Sequence, residues 1–279
     1  MNVKLNIDGE KVKKEVVGVV EPSPESKSIE SRPNPKKVKA KLPKNKKRKM
    51  PKQGEEFNEI EDVMFKRRSI RVFREKQVPE YIIRRILETG RYAPSAGNSQ
   101  SWRFVVIRDP DVIHELTEAI IRQAIKLSRL VDYSLPNALT MKWVTRLMMR
   151  LKTGLMHPTG LTGLQQVAKR ELGVWHGAPT VILLLSDTRG VGKPHLDLGI
   201  AGTNMDLAAH SMGLGSCWVS FASLLEYEPA LKKKMGIDYP FEILSSLSIG
   251  YPRGIPDDYV ERETHETPWF EDGECRTVF

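Results

Sequence analysis

Three guanidinium groups and a hydroxyl fall within five residues, Arg67-Arg68-Ser69-Ile70-Arg71. Planar forks of N–H donors match the oxygens of a phosphate, and a serine hydroxyl adds a neutral donor beside them. Further along, Ala93-Pro94-Ser95-Ala96-Gly97-Asn98-Ser99-Gln100 combines small residues with side-chain amides. Such a loop suits a flat polar ring approached by backbone. Both stretches also have plainer readings: cations at a helix C-terminus complement its dipole, and Gly97-Asn98 can be only a turn.

Other chemistries find little support. The six histidines (His114, His157, His176, His195, His210 and His265) show no metal-ligand spacing. Gly190-Val191-Gly192-Lys193 lacks the upstream glycine and the following Ser/Thr of a phosphate loop. Cys217 sits among apolar residues and reads as a small core residue rather than a nucleophile. No Ser-His-Asp or paired-carboxylate set is visible. That pattern fits an enzyme whose hard chemistry belongs to a cofactor.

These residues must be positioned by elements of both kinds. A helix over Glu59–Phe65 delivers the arginine cluster at its C-terminal end. Pro79 opens a second helix that ends near Gly90, and Phe104 to Ile107 reads as a buried strand. Asp109-Pro110 starts a helix running to about Lys126. Val181 to Leu185 is a continuous apolar run, the pattern of a strand buried on both faces, and Leu244 to Ile249 reads as another buried strand. Leu196 to Met212 is a long helix of small and apolar residues, stopped by Gly213 and Gly215. Trp218 to Phe221 begins the next element, and Glu228 to Met235 is a short helix. Residues 127–173 read as a helical insert or a lid. Val144, Leu147, Met148 and Leu151 form one amphipathic face there, and a Gly/Pro/Thr stretch from Gly154 to Gly163 follows. Trp269 and Phe270 anchor a polar C-terminal tail on the body or on a partner subunit. Strands and helices without a repeating βα unit favour an α+β fold over a doubly wound sheet.

Charge is distributed unevenly. Residues 1–56 hold 16 Lys and Arg against 8 Asp and Glu, leaving 28 against 27 in the remainder. The formal net charge of +9 is therefore almost wholly a property of the tail. Val3, Leu5 and Ile7 before Asp8-Gly9 suggest a small hairpin, too short and polar to stand alone. Residues 21–54 are rich in Pro, Ser and Lys and cannot offset their ordering entropy by burial. The division is thus residues 1–55, a basic Pro-rich disordered tail, and residues 56–279, the folded domain. Lys36 to Lys49 contains nine basic residues and no acid, and it reads as a solvated linker. A nucleic-acid, acidic-surface or targeting contact is the alternative, and the lack of interleaved aromatics weighs against nucleic acid. Two cysteines far apart, Cys217 and Cys275, form no disulfide framework. With no apolar run near ~20 residues and no signal-peptide core, the expected location is cytoplasmic.

Four blocks, in order, resemble the FMN-dependent nitroreductase family: Arg67-Arg68-Ser69-Ile70-Arg71; Ala93 to Gln100 before Trp102; Gly213-Leu214-Gly215-Ser216-Cys217-Trp218; and Ile249-Gly250-Tyr251-Pro252. The resemblance covers roughly Glu56 to Arg262. Many members have proline where this chain has Ser101. The resemblance implies a mostly antiparallel sheet wrapped by helices, in a homodimer with FMN at the subunit interface. It implies that Arg67, Arg68, Ser69 and Ile70 hold the phosphate and ribityl chain, and that Arg71 reaches the N1–O2 edge of the ring. Ser95 and Asn98 would face the ring. Trp218, Val219 and Ser220 would lie along its edge, with a backbone N–H near N5. Arg262 would complete the phosphate site, with Arg253 as its competitor. The implied activity is hydride transfer from NADH or NADPH, through flavin N5, to a small electron-poor aromatic such as a nitroaromatic or quinone. Reductive dehalogenation of iodotyrosine and cleavage of flavin are the alternatives within the same superfamily. Residues 127–173 offer no convincing counterpart of the Glu-Tyr-Lys set with which the iodotyrosine enzymes hold their substrate. A flavin-binding protein without enzymatic activity, docked through its basic tail, is the reading from another class.

Overall fold

A computed structural model describes residues 58–131, 158–254, 262–263 and 265–277. The tail of residues 1–55, its hairpin and its basic run, and the amphipathic helix expected around Val144 to Leu151, lie outside the described residues.

The first helix, α1 (Glu59–Lys66), begins at a capping box: Asn58 Oδ1 accepts from the N–H groups of Ile60 and Glu61, and Glu61 Oε2 accepts from Asn58 N at 2.9 Å. It ends where Arg67 turns extended, at φ −57°, ψ 136°. α2 (Glu80–Arg91) follows, then β1 (Trp102–Ile107), α3 (Pro110–Val131), α4 (Pro158–Ala168), β2 (Thr180–Asp187) and α5 (Pro194–Ser211). The chain continues through β3 (Gly215–Trp218), a 3-10 segment over Ser220–Tyr227, α6 (Pro229–Lys234) and β4 (Phe241–Gly250). A hairpin of β5 (Pro268–Glu271) and β6 (Glu274–Thr277) follows after residues 262–263 and 265–267.

The main sheet has the order β1-β2-β4-β3, and every pairing is antiparallel. Side chains alternate across β2, and both faces are covered. Val181, Leu183 and Leu185 join Leu116, Ile120, Leu164 and Val167 of α3 and α4. Ile182 and Leu184 join Ile83, Ile86, Leu198 and Met205 of α2 and α5. This double covering explains the unbroken apolar run of β2, and the architecture is the expected α+β one. α5 packs close to the sheet at Gly202, where a Cβ would overlap the ring of Trp218.

Several expectations need correction. Gly215 does not merely end a helix: with Ser216, Cys217 and Trp218 it forms β3, whose partner is β4. Four residues that begin with a glycine carry too little periodicity to be seen as a strand. Residues 158–163, the end of the Gly/Pro/Thr stretch, are helical in α4, where Pro158 occupies the first position that tolerates it. α3 runs beyond Lys126 to Val131. The C-terminal segment is a hairpin in which Trp269 and Phe270 stay 48% and 79% exposed, so they do not anchor on the body within one chain. Among the described residues no helix is long and apolar enough to cross a membrane.

Candidate functional site

The arginine cluster lies where α1, β3, β4 and α5 converge. After α1 the chain runs extended along β3: Ser69 bridges Ser216 in parallel, and Ile70 N donates to Ser216 O at 2.8 Å. Beneath Ile70 only a glycine fits. A Cβ on Gly215 would lie 2.7–2.9 Å from three Ile70 side-chain atoms, closer than carbon atoms tolerate. The chain then pairs with the segment after β4. Phe73 bridges Pro252, Arg74 N donates to Tyr251 O at 2.9 Å, and Arg253 N donates to Val72 O at 3.0 Å. Three of the four sequence blocks thus meet at one place.

Each arginine of the cluster is held differently. Arg67 Nη1 lies 3.4 Å from Asp206 Oδ2 of α5. Arg68 Nη1 donates to Phe65 O at 2.7 Å and Arg67 O at 2.6 Å, folding back over the end of α1. Ser69 and Arg71 are exposed. Asp206, only 4% exposed, is a buried carboxylate whose other oxygen accepts from Ser216 Oγ. This residue carried no motif and sequence reasoning missed it. The available signal was an acid inside the otherwise small, apolar run of α5.

The charges are felt by their neighbours. Burial pushes the Cys217 thiol up, opposed by the nearby charge of Arg71. Burial lowers His176, and Arg71 lowers it further. His210, one turn beyond Asp206, is lowered by burial first and then by Arg67.

The small-residue loop is built at the other end of the sheet. Ala96–Asn98 forms a 3-10 turn in which Gly97 and Asn98 take left-handed φ of 58° and 54°. Gln100 follows at φ 46°, a conformation that costs a non-glycine residue and tends to mark functional loops. Ser95 Oγ accepts from Gln100 N at 3.0 Å, and Asn98 Oδ1 accepts from Gln100 Nε2 at 3.1 Å. The loop is fixed to α5 by Ala96 N donating to Asp197 Oδ2 at 3.1 Å. Asp197 is also buried, and it too was missed.

The two aspartates sit nine residues apart on α5, about 14 Å along the axis and half a turn out of phase. Ser216 pairs with Ile249, opposite Thr180 at one end of β2, whereas Ser101 O accepts from Asp187 N at the other end, roughly 23 Å away. The arginine cluster and the Ser95/Asn98 loop therefore occupy opposite ends of one chain.

Among the remaining predicted residues, Trp218 closes β3 against Gly202. Val219 is buried, its N–H donating to Ser246 O at 2.9 Å and its carbonyl accepting from Ser246 Oγ at 3.0 Å, so its backbone is committed within the chain. Ser220 is exposed at the start of the 3-10 segment. Arg262 is exposed, and no contact among the described residues ties it to the cluster, whereas Arg253 is docked beside Val72. Among the described residues no three metal-binding side chains cluster.

The donor set fits a flavin phosphate. Guanidinium and hydroxyl groups occur together on an extended segment clamped to β3, and Asp206, the buried acid beside them, is partnered by Ser216. Comparison with known proteins agrees on lineage. The chain is 26% identical over 201 residues, 71% of its length, to a putative NADH dehydrogenase/NAD(P)H nitroreductase of Archaeoglobus fulgidus, of which it spans 87%. It is 28% identical over 212 residues, 73% of its length, to human iodotyrosine deiodinase 1, spanning 63% of that protein. Its fold is similar to that of a nitroreductase with bound FMN from Desulfitobacterium hafniense DCB-2, with a TM-score of 0.58, 19% identity, and coverage of 77% of this chain and all of the other. The nitroreductase family model matches residues 64–251, which include the first three blocks and the fourth up to Tyr251, and the chain belongs to that family.

Proposed function

We propose that the protein is an FMN-dependent oxidoreductase that takes electrons from NADH or NADPH and passes them to a small electron-poor aromatic. The observation that carries the proposal is the clamped segment from Arg67 to Arg71. Its backbone is fixed by Ser216, and Arg67 and Ser69 stand together on it as phosphate donors. Bound FMN would supply two-electron transfer between the nicotinamide and the acceptor. The chain's own residues bind and orient. Arg67, Arg68 and Ser69 would hold the phosphate, and Arg71, exposed and charged, would lie toward the N1–O2 edge. Ser95 and Asn98 would present polar groups to the ring from a loop of constrained backbone.

One chain holds these two sets at opposite ends of its sheet. A homodimer would bring the loop of one protomer to the arginine cluster of the other. The relationship to iodotyrosine deiodinase keeps one second reading, reductive dehalogenation. A visible spectrum of the purified protein, followed by anaerobic addition of NADH or NADPH, tests the main proposal. Flavin bands that bleach on addition are expected. Failure to release or take up any flavin would exclude the proposal. Turnover of iodotyrosine in preference to nitroaromatics and quinones would favour the second reading.

A further inference from the structure

We infer that Asp206 is a positioning residue for the anion site, and that one buried carboxylate brackets Ser69 from both sides. The inference rests on the flavin-phosphate reading above. Asp206 Oδ2 faces Arg67 Nη1 at 3.4 Å, two residues before Ser69. Asp206 Oδ1 accepts from Ser216 Oγ, and the carbonyl of Ser216 accepts from Ile70 N at 2.8 Å, one residue after Ser69. One oxygen of a single side chain thus faces the residue that opens the donor segment, and the other holds the hydroxyl of the residue whose carbonyl fixes Ile70.

The arrangement answers a physical problem. Arg67 is long and would lose rotamer freedom on gripping an anion. Its side chain is 23% exposed, so it is held at the edge of the interior. One Nη1 contact fixes the group while leaving the other edge of the fork outside the ion pair. Asp206 could also act in the opposite sense. As a negative charge near the site it would weaken the attraction for phosphate, and the two effects differ in sign. A buried carboxylate committed to two partners within the protein positions its arginine in advance, and pre-organisation of this kind raises affinity.

The test compares FMN with riboflavin, which has the same ring and no phosphate. Holoprotein carrying either flavin is serially diluted, and the recovery of flavin fluorescence gives each Kd. Asp206→Asn keeps the volume and can still accept from Ser216, but it turns a donor toward Arg67. It is expected to weaken FMN about tenfold, or ~1.4 kcal/mol, and to leave riboflavin within twofold. The double variant Arg67→Ala/Asp206→Asn should bind FMN no more weakly than Arg67→Ala alone, because Asp206 acts through that arginine. Ser216→Ala, a milder change that removes the second arm of the bracket, should also weaken FMN selectively; it decides the matter should Asp206→Asn not fold. Unchanged or tighter FMN binding in the variants overturns the inference, as does an equal loss for both flavins or an additive double variant. Wild-type protein that takes up neither flavin refutes the functional proposal itself. Wild-type protein that binds FMN while the variants match it refutes only the role of Asp206.

Discussion

Ala96 N donates to Asp197 Oδ2 at 3.1 Å across 101 residues of sequence, and this contact moors the small-residue loop to the first turn of α5. The carboxylate is buried, so its replacement removes a charge-assisted hydrogen bond that water does not replace. Asp197→Ala is expected to cost about 1.5–3 kcal/mol of stability and to weaken FMN binding through the displaced loop. Denaturant midpoints, together with flavin release, check both parts.

Arg71 and Arg68 should separate chemistry from affinity. Phosphate keeps its charge in every redox state of the flavin, so its ligands stabilise oxidised and reduced forms alike. A charge at the N1–O2 edge distinguishes them. Arg71→Ala should lower the midpoint potential of bound FMN by up to about 30–65 mV, the equivalent of roughly 1.5–3 kcal/mol for a two-electron couple. Because Arg71 is exposed, solvent screening sets the shift toward the lower end. Arg68→Ala should mainly raise the Kd for FMN. Potentiometric titration at saturating FMN decides, and equal potentials in Arg71→Ala and wild type would remove the assigned role.

Under the donor segment Gly215 leaves no room for a side chain, because a Cβ there would run into Ile70. Gly215→Ala must push Ile70 away from β3, at a cost of about 1–3 kcal/mol for overpacking. The same displacement moves Ser69 and Arg71, so FMN affinity should fall in parallel with thermal stability. An alanine variant with unchanged affinity would show that the segment tolerates movement.

His176 and His210 should titrate below the ordinary 6.5, because burial and the neighbouring arginines disfavour their charged forms. The unfolded chain then binds more protons than the native one as pH falls below 6.5, so acid destabilises the fold. Stability should decline as pH drops through the unfolded value and level off below the depressed native values. NMR titration of the imidazole resonances gives the midpoints, and denaturation at several pH values gives the sign. His210→Gln should flatten part of that decline.

The basic tail should be dispensable for flavin chemistry. Residues 1–56 carry 16 basic side chains against 8 acidic ones, while the remainder is nearly neutral. Deleting residues 1–54 is expected to leave FMN content and NAD(P)H oxidation intact and to reduce retention on a cation exchanger. Loss of flavin on truncation would place the tail within the functional unit.

Local chemistry was enough to locate the elements that carry their own pattern. The apolar run of β2, the strand β4, the helix α1, and the small-residue face of α5 appear in the structure close to where the sequence pattern put them. The arginine cluster and the Gly97-Asn98 loop were visible as unusual groupings of residue types. The contacts between these segments were not legible. β3 is a strand because β4 offers an edge to it, and four residues cannot advertise a partner 30-odd positions away. Asp197 and Asp206 look alike in sequence, two acids on one helix. Only packing turns one toward Ala96 and the other toward Arg67. Backbone geometry and side-chain chemistry act over a few residues and are written in the chain. The separation of the two half-sites to opposite ends of the sheet depends on burying both faces of β2 at once, a condition that only the whole fold satisfies.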